Sequence, residues 1–199
     1  MKQKKVFGLG FQKTGTTSLG AILDRLGYRV AGYNEFRSLA GRDTVDWPEV
    51  EAMALEIAAG VDAAKDTPWP LLYRQLDEAF PGAKFIHVTR DTEAWLKSAS
   101  RDFQDYPNAL HRMIYGSNGP KGHEQDWVQR YERHNREVAA YFAERPDAYL
   151  HLRLEDGISV EKICAFLDEP VFAAEAPKAN TWLRKRLKTL WWRVSGNRS

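Results

Sequence analysis

The chain has 199 residues, which suits one α/β domain with a substantial core. Its composition is ordinary for a globular protein, and its formal charge of +2 is too small to indicate binding to nucleic acid. The one cysteine, Cys164, excludes an intrachain disulfide and a cysteine-based zinc site, and no apolar run reaches the roughly 18 residues that span a bilayer. We therefore expect a single domain over residues 1–199, cytoplasmic and without a transmembrane segment.

Short apolar strands alternate with helical patterns along the chain. Strands are predicted at 6–9, 28–30, 61–66, 84–88 and 149–152, and helices at 16–26, 47–59, 68–80, 92–102, 124–144, 160–167 and 181–193. Several prolines and glycines predict a loop over 103–122. The alternation implies right-handed crossovers and a three-layer α/β fold, with a mainly parallel central sheet flanked by helices.

The first strand runs into a turn bounded by glycines and rich in hydroxyls, and a helical pattern follows at once. Successive backbone N–H groups in such a turn form an anion nest, and the helix adds the positive end of its dipole. Gly15 permits close approach of the backbone to a ligand. The hydroxyls that we expect to reach phosphate oxygens belong to Thr14, Thr16, Thr17 and Ser18.

The position of the lysine distinguishes this loop from the usual triphosphate loop. In the pattern G-x-x-x-x-G-K-[ST], lysine follows the second glycine. Here Gly10 and Gly15 have the right spacing, but Thr16 occupies the lysine position and Lys13 lies inside the loop. The segment therefore predicts phosphate binding on a P-loop NTPase-like fold and argues against an ordinary nucleotide kinase.

Further polar residues follow two other predicted strands. Arg90 comes directly after the strand at 84–88, Ser98 lies eight residues later on the next helix, and Asp66 ends the strand at 61–66. Ligands of parallel sheets bind at the carboxyl ends of the strands. Lys13, Asp66 and Arg90 are therefore expected in one cleft, where Arg90 and Ser98 would hold a second phosphate.

These motifs resemble those of sulfotransferases that use 3′-phosphoadenosine 5′-phosphosulfate (PAPS). Residues 11–19 are similar to the family's 5′-phosphosulfate loop, which carries its lysine before the second glycine, and Arg90 and Ser98 match its 3′-phosphate pair. The stretches 66–70, 81–84 and 176–180 resemble a branch of small, single-domain members. The resemblance implies PAPS as co-substrate and Lys13 as the residue that stabilises charge on the departing bridging oxygen. It also implies in-line transfer to a hydroxyl or amine of a small molecule or glycan.

The chain departs from that family in two places. The glycine-rich C-terminal segment that other members use on the 3′-phosphate is missing, and the basic run Arg184-Lys185-Arg186 is a candidate replacement. No histidine follows the strand that ends near Asp66, where the family has a catalytic one. Asp66 is therefore our candidate general base, although it is equally suited to cap the helix that begins at Pro68. Weaker candidates are His87, His123 and His134.

No carboxylate cluster suggests a metal site, and none is expected, because a sulfuryl group carries less charge than a phosphoryl group. Two alternatives stay open: a P-loop kinase of nucleotides or small molecules, with Asp91 as its magnesium ligand, and a non-catalytic nucleotide-binding module that docks through its basic, tryptophan-rich end. Residues 31–60 and 103–123 are expected to line the acceptor cleft. The sequence does not indicate an oligomeric state.

Overall fold

The computed structural model describes residues 2 and 4–172 and contains a sheet of five parallel strands. The strands are β1 (Val6–Gly8), β2 (Val30–Ala31), β3 (Ala63–Ala64), β4 (Lys84–Thr89) and β5 (Tyr149–Arg153). Their order in the sheet is β2-β3-β1-β4-β5, and every pair is parallel. Because β1 and β4 are central neighbours, the segments that follow them leave the same edge of the sheet side by side.

Helices cover both faces of the sheet. They are α1 (Thr16–Arg25), α2 (Arg37–Ala40), α3 (Trp47–Gly60), α4 (Tyr73–Ala79), α5 (Thr92–Asp102), α6 (Ala109–Tyr115), α7 (Glu124–Tyr141) and α8 (Val160–Leu167). Three short 3₁₀ helices occupy Tyr33–Phe36, Trp69–Leu72 and Leu154–Asp156. The predicted three-layer α/β fold is confirmed over the described residues.

Alternating side chains of the strands supply two cores. Phe7 and Phe85 face a core that contains residues of α2, α3, α4 and α7. Their neighbours Val6 and Ile86 face a second core, shared with α1 and α8, that also contains the fully buried Cys164. A third cluster, built mainly from aromatic residues of α5, α6 and α7, surrounds Phe11 in the turn after β1. The first two clusters pack on the two faces of the sheet, and the third packs around the turn after β1.

The predicted elements at 92–102 and 160–167 match the observed helices α5 and α8. The strand expected over 61–66 is only two residues long, and the helix expected over 68–80 is divided into a 3₁₀ helix and α4. The loop predicted over 103–122 is wrong, because Asn108 caps α6 within it and Leu110 packs into the core. The predicted helix at 181–193, with its basic run, lies outside the described residues.

Candidate functional site

A cleft of about 640 Å³ opens at the carboxyl edge of the sheet. The turn after β1 and the start of α1 form one wall, and residues from α5, α6 and the segment after β3 form the rest. Of the residues predicted for the site, all but Thr14 line this cleft: Lys13, Gly15, Thr16, Thr17, Ser18, Asp66, Arg90 and Ser98. The expectation that three strand ends converge on one cleft therefore agrees with the geometry.

The N-terminus of α1 points into the cleft without a side-chain cap. Its N-cap residue is Gly15, which makes no capping hydrogen bond, and the first turn carries no acidic residue. By contrast, α3, α5, α6 and α8 are each capped by an Asp, Asn or Ser side chain. Gly15 has a φ of 96°, and a Cβ there would lie 2.7 Å from Ile158, so the turn requires glycine. The turn therefore presents a helix N-terminus suited to an anion.

Thr14 differs from the other hydroxyl residues of the loop. Its side chain is fully buried and donates a hydrogen bond of 2.7 Å to the Phe11 carbonyl. The loop thus presents three hydroxyls to the cleft, those of Thr16, Thr17 and Ser18, rather than the four that the sequence suggested. Thr14 holds the turn in shape instead, because a side-chain bond to a carbonyl three residues earlier closes the loop on itself.

Lys13 and Asp66 both have backbone conformations that L-residues avoid, with φ values of 75° and 73°. Such conformations cost about 1–3 kcal/mol each and persist only where the surroundings enforce them. The Lys13 ammonium forms an ion pair with Asp102 at the end of α5. Both side chains are only 16% exposed, so the charges lie in the cleft wall rather than in bulk solvent.

Arg90 lies beside the loop, and Ser98 contributes to the cleft from α5. Arg90 Nη1 donates a hydrogen bond of 3.2 Å to the Lys13 carbonyl. The Arg90 backbone is held at both ends by Tyr131, whose hydroxyl accepts from its N–H at 2.8 Å and donates to its carbonyl at 2.7 Å. Ser98, on the buried face of α5, also lines the cleft. The predicted pairing of a strand-end arginine with a helix serine is therefore possible in this geometry.

Asp66 lines the cleft directly beside the loop. Its Oδ2 accepts a hydrogen bond of 3.3 Å from the Thr16 hydroxyl, and its Oδ1 accepts one of 2.9 Å from the Thr67 N–H. At the start of the following 3₁₀ helix, the Trp69 N–H donates to the backbone carbonyl of Asp66, and no side chain of the described residues caps this helix. Asp66 therefore presents its side chain to the cleft rather than capping that helix.

An aromatic wall stands behind the loop. The Trp95 indole N–H donates a hydrogen bond of 2.9 Å to the Gln12 carbonyl, and the Trp95 ring stacks on Tyr131 at 4.2 Å. The Gln12 side chain donates to the Tyr115 hydroxyl at 2.7 Å and accepts a hydrogen bond from Thr67. Tyr115 in turn stacks on Trp127 at 3.8 Å. This packing fixes the loop from the side opposite the cleft and ties it to the segment after β3.

The cleft also contains residues that the sequence did not single out. They come from the first 3₁₀ helix, the end of α5 and the start of α6: Tyr33, Phe103, Asn108 and His111. The expectation that 31–60 and 103–123 contribute to the cleft is supported at these positions. The sequence signal for α6 was Asn108 before a run of apolar residues, an N-cap pattern that the nearby prolines and glycines obscured.

The histidines weighed from the sequence lie elsewhere. The ring nitrogens of His87 lie 2.8 Å from the Tyr149 hydroxyl and 3.0 Å from Asn135, and burial lowers the pKa of His87 to about 3. His134 is buried against the Leu9 carbonyl, and burial lowers its pKa well below the usual value. His123 is exposed at the start of α7. None of the three lines the cleft.

Asp91 caps α5 by accepting a hydrogen bond of 2.9 Å from the Ala94 N–H, so the aspartate that a kinase would need here is engaged in the fold. Over residues 4–172, no three His, Cys, Asp or Glu side chains are grouped closely enough to hold a metal ion. In the same part of the chain, every helix is too short or too polar to cross a bilayer.

Comparisons with solved structures agree with this fold. The chain is similar to a sulfotransferase from Alicyclobacillus acidocaldarius, with a TM-score of 0.56 and 18% identity over 96% of this chain and 92% of that one. It is also similar to a shikimate kinase from Bacteroides thetaiotaomicron, with a TM-score of 0.51 and 14% identity over 83% of this chain and 98% of that one. At these identities the likeness shows the shared P-loop NTPase-like fold alone.

The search of curated proteins finds no match. A family model described as the sulfotransferase domain matches residues 5–113 and 99–184, which together span most of the chain. The matched region includes the loop after β1, Asp66, Arg90, Ser98 and every other residue that lines the cleft. The chain therefore belongs to the sulfotransferase domain family and is a sulfotransferase.

Proposed function

We propose that this sulfotransferase takes its sulfuryl group from PAPS and passes it to a hydroxyl or amine of a small molecule or glycan by in-line displacement. The observation that carries the proposal is the shared cleft, which joins an uncapped helix N-terminus to Lys13, Arg90 and Ser98. PAPS bears a 5′-phosphosulfate and a 3′-phosphate on one ribose. A ligand of that kind needs two anion sites a short distance apart on one wall.

The first anion site in this proposal is the start of α1. Backbone N–H groups of the first helical turn have no partner within the helix, and the hydroxyls of Thr16, Thr17 and Ser18 surround them. The absence of an acidic residue in this turn leaves the field of the helix positive. These groups suit the 5′-phosphosulfate.

The second anion site combines Arg90 with Ser98. The guanidinium fork matches a phosphate in geometry, and the serine hydroxyl adds one donor. The hydrogen bond from Arg90 to the Lys13 carbonyl holds the guanidinium beside the loop. The two sites are therefore close enough for one nucleotide, which supports their assignment to the two phosphates of PAPS.

Lys13 is proposed to stabilise the negative charge that develops on the bridging oxygen when the S–O bond breaks. Catalysis of group transfer of this kind rests mainly on positioning and on charges aimed at the transition state. The ion pair with Asp102 holds the Lys13 ammonium at the cleft wall before the donor binds. An anionic donor would then compete with Asp102 for the same ammonium.

We call the loop residues Lys13, Thr16, Thr17 and Ser18, together with Arg90 and Ser98, the donor side of the cleft. The acceptor side means Tyr33, Asp66, Phe103, Asn108 and His111. Asp66, the candidate base from the sequence, is proposed to place a negative charge beside the acceptor, which favours the loss of its proton during transfer. Its hydrogen bond from Thr16, which holds the carboxylate in the cleft beside the loop, supports that role.

Calorimetric titration of the purified chain tests the donor assignment. We expect adenosine 3′,5′-bisphosphate to bind more tightly than ATP, with no dependence on magnesium. Tighter binding of ATP in the presence of magnesium would overturn the proposal in favour of a kinase. The chain could also bind the bisphosphate yet release none from PAPS when phenols, alcohols, amines or water are offered as acceptors. That result would favour a non-catalytic module.

A further inference from the structure

His111 is the one histidine of the acceptor side, and its geometry assigns it a definite protonation state. It is the third residue of α6, is only 7% exposed and lines the cleft. Its Nδ1 lies 2.7 Å from the carbonyl oxygen of Asn118. A backbone carbonyl only accepts hydrogen bonds, so Nδ1 must carry the proton.

In the neutral ring, the second nitrogen, Nε2, carries no proton and has a free lone pair. Burial lowers the pKa of His111, against smaller opposing effects of the Asn118 carbonyl and the charge of Asp66, so the ring is neutral near pH 7. Among residues 4–172, no group forms a hydrogen bond with Nε2. His111 therefore offers a neutral nitrogen acceptor to a cleft whose other polar groups are mostly donors or already paired.

The ring is held in place from several sides. Phe103, Trp127 and Tyr115 pack edge-on against it, with centroids at 4.9, 5.3 and 5.9 Å. Asn118, which fixes the tautomer, is itself anchored because its side chain accepts hydrogen bonds from Arg112 at 2.6 Å and from a backbone N–H at 3.0 Å. Such support leaves the imidazole little freedom to turn, as a proton acceptor in catalysis requires.

Asp66 lies near enough for its charge to raise the pKa of His111. Its own two carboxylate oxygens already accept hydrogen bonds from Thr16 and Thr67. Each oxygen keeps a second lone pair, so these bonds fix the carboxylate between the loop and the segment after β3, while its charge acts on the imidazole. Asp66 therefore suits the role of electrostatic partner, and His111 suits the role of proton acceptor.

We propose that His111 takes the proton of the acceptor hydroxyl, an inference that rests on the proposed function. The hydroxyl oxygen forms its bond to sulfur while its proton moves to Nε2, and the S–O bond to the 5′-phosphate breaks with its electron pair leaving on the nucleotide. Asp66 stabilises the imidazolium that results. The imidazolium afterwards returns its proton to water, which restores the neutral ring.

The substitution His111→Gln tests the assignment, with His123→Gln as the matched control at an exposed position outside the cleft. The probes are PAPS with an aliphatic alcohol, with the acidic phenol 4-nitrophenol and with water alone. We expect turnover with the alcohol to fall about 10²–10⁴-fold with little change in KM for PAPS, because a positioned base contributes that much. Turnover with 4-nitrophenol should fall far less, because much of this acidic phenol is already ionised when it reaches the site. If no alcohol reacts, the hydrolysis of PAPS by water serves as the assay in its place.

Chemical rescue provides a second measurement that a purely structural role would not pass. In His111→Ala, added imidazole should restore part of the turnover with the alcohol, and more basic imidazoles should restore more. Full turnover in His111→Gln, or an equal loss with alcohol and phenol, would overturn the assignment. A wild-type chain that neither binds adenosine 3′,5′-bisphosphate nor turns over PAPS would instead overturn the proposed function.

Discussion

The donor side and the acceptor side of the cleft are built in different ways. Most of the donor side is one short segment, residues 13–18, joined by Arg90 and Ser98 from β4 and α5. The acceptor side draws single residues from a 3₁₀ helix, the segment after β3, the residues after α5 and the start of α6. The donor side combines the backbone groups of a helix N-terminus with side chains, whereas the acceptor side is assembled from single residues of separate elements.

This difference has a consequence for specificity. A backbone site changes only if the fold changes, so the donor side is constrained by the sheet and by the aromatic wall behind it. The acceptor side can change residue by residue without disturbing the sheet, because Tyr33, Phe103 and Asn108 lie outside its strands. One donor can thus serve many acceptors on one scaffold.

Among substitutions on the donor side, the largest expected effect is at Lys13. Lys13→Ala should lower kcat by about 10²–10³-fold, because it removes one charge aimed at the transition state. Alanine keeps the Cβ, so the strained backbone at position 13 is not altered. Steady-state kinetics with PAPS measures the effect, and Lys121→Ala, an exposed lysine outside the cleft, is the control. Wild-type kcat in Lys13→Ala would remove Lys13 from the chemistry.

Arg90→Ala should weaken binding of adenosine 3′,5′-bisphosphate by about 10–100-fold, as loss of charge-assisted hydrogen bonds does. The same substitution should leave binding of adenosine 5′-phosphosulfate, which lacks the 3′-phosphate, nearly unchanged. Calorimetry of the wild type and of Arg90→Ala, each with both nucleotides, measures the two effects. Equal losses for both ligands would mean that Arg90 supports the loop through the Lys13 carbonyl and does not read the 3′-phosphate.

The pH dependence should separate the acceptor side from the donor side. Burial lowers the pKa of His111, so its lone pair is available near neutral pH and is lost as the pH falls through that lowered pKa. Turnover with an alcohol should then fall by up to about tenfold per pH unit on the acid limb and be flat above it. Among the described residues, Asp66 acts on the ring through its charge and Tyr115 packs against it. Burial raises the pKa of Tyr115, so this hydroxyl does not titrate between pH 5 and pH 8.

The acid limb is measured from kcat at saturating PAPS between pH 8 and pH 5. His111→Gln should abolish the limb, whereas His123→Gln should keep it. An unchanged acid limb in His111→Gln would assign that titration to another group.

The smallest expected effect concerns the partner of Lys13. Asp102→Asn removes a negative charge from the cleft wall, so affinity for adenosine 3′,5′-bisphosphate should rise by at least about fivefold, because unit charges about 4 Å apart interact by about 1 kcal/mol even in bulk water. The gain should shrink at high salt. Calorimetry at two ionic strengths checks this, with Asp147→Asn as a control far from the cleft in an exposed position. A loss of affinity would mean that Asp102 is needed to position Lys13.

The sequence was informative where local pattern decides structure. The displaced lysine, the strand-end arginine and the serine on α5 all reach one cleft, because parallel strands end at one edge. It was uninformative where several distant elements meet. His111 was overlooked because glycines and prolines around α6 favoured a loop, and nothing local indicated that Asn118 would fix its tautomer. Thr14 was misjudged because a hydroxyl in a turn binds either a ligand or its own backbone.

The aromatic wall behind the loop gives the protein an optical reporter of its own. The indole of Trp95 is bonded to the loop through the Gln12 carbonyl and stacks on Tyr131, whose hydroxyl holds the backbone of Arg90. A nucleotide that shifts either the loop or Arg90 must therefore alter the surroundings of one indole. Because the chain has seven tryptophans, the difference in emission between the wild type and Trp95→Phe would isolate this indole and follow occupancy of the cleft without a label.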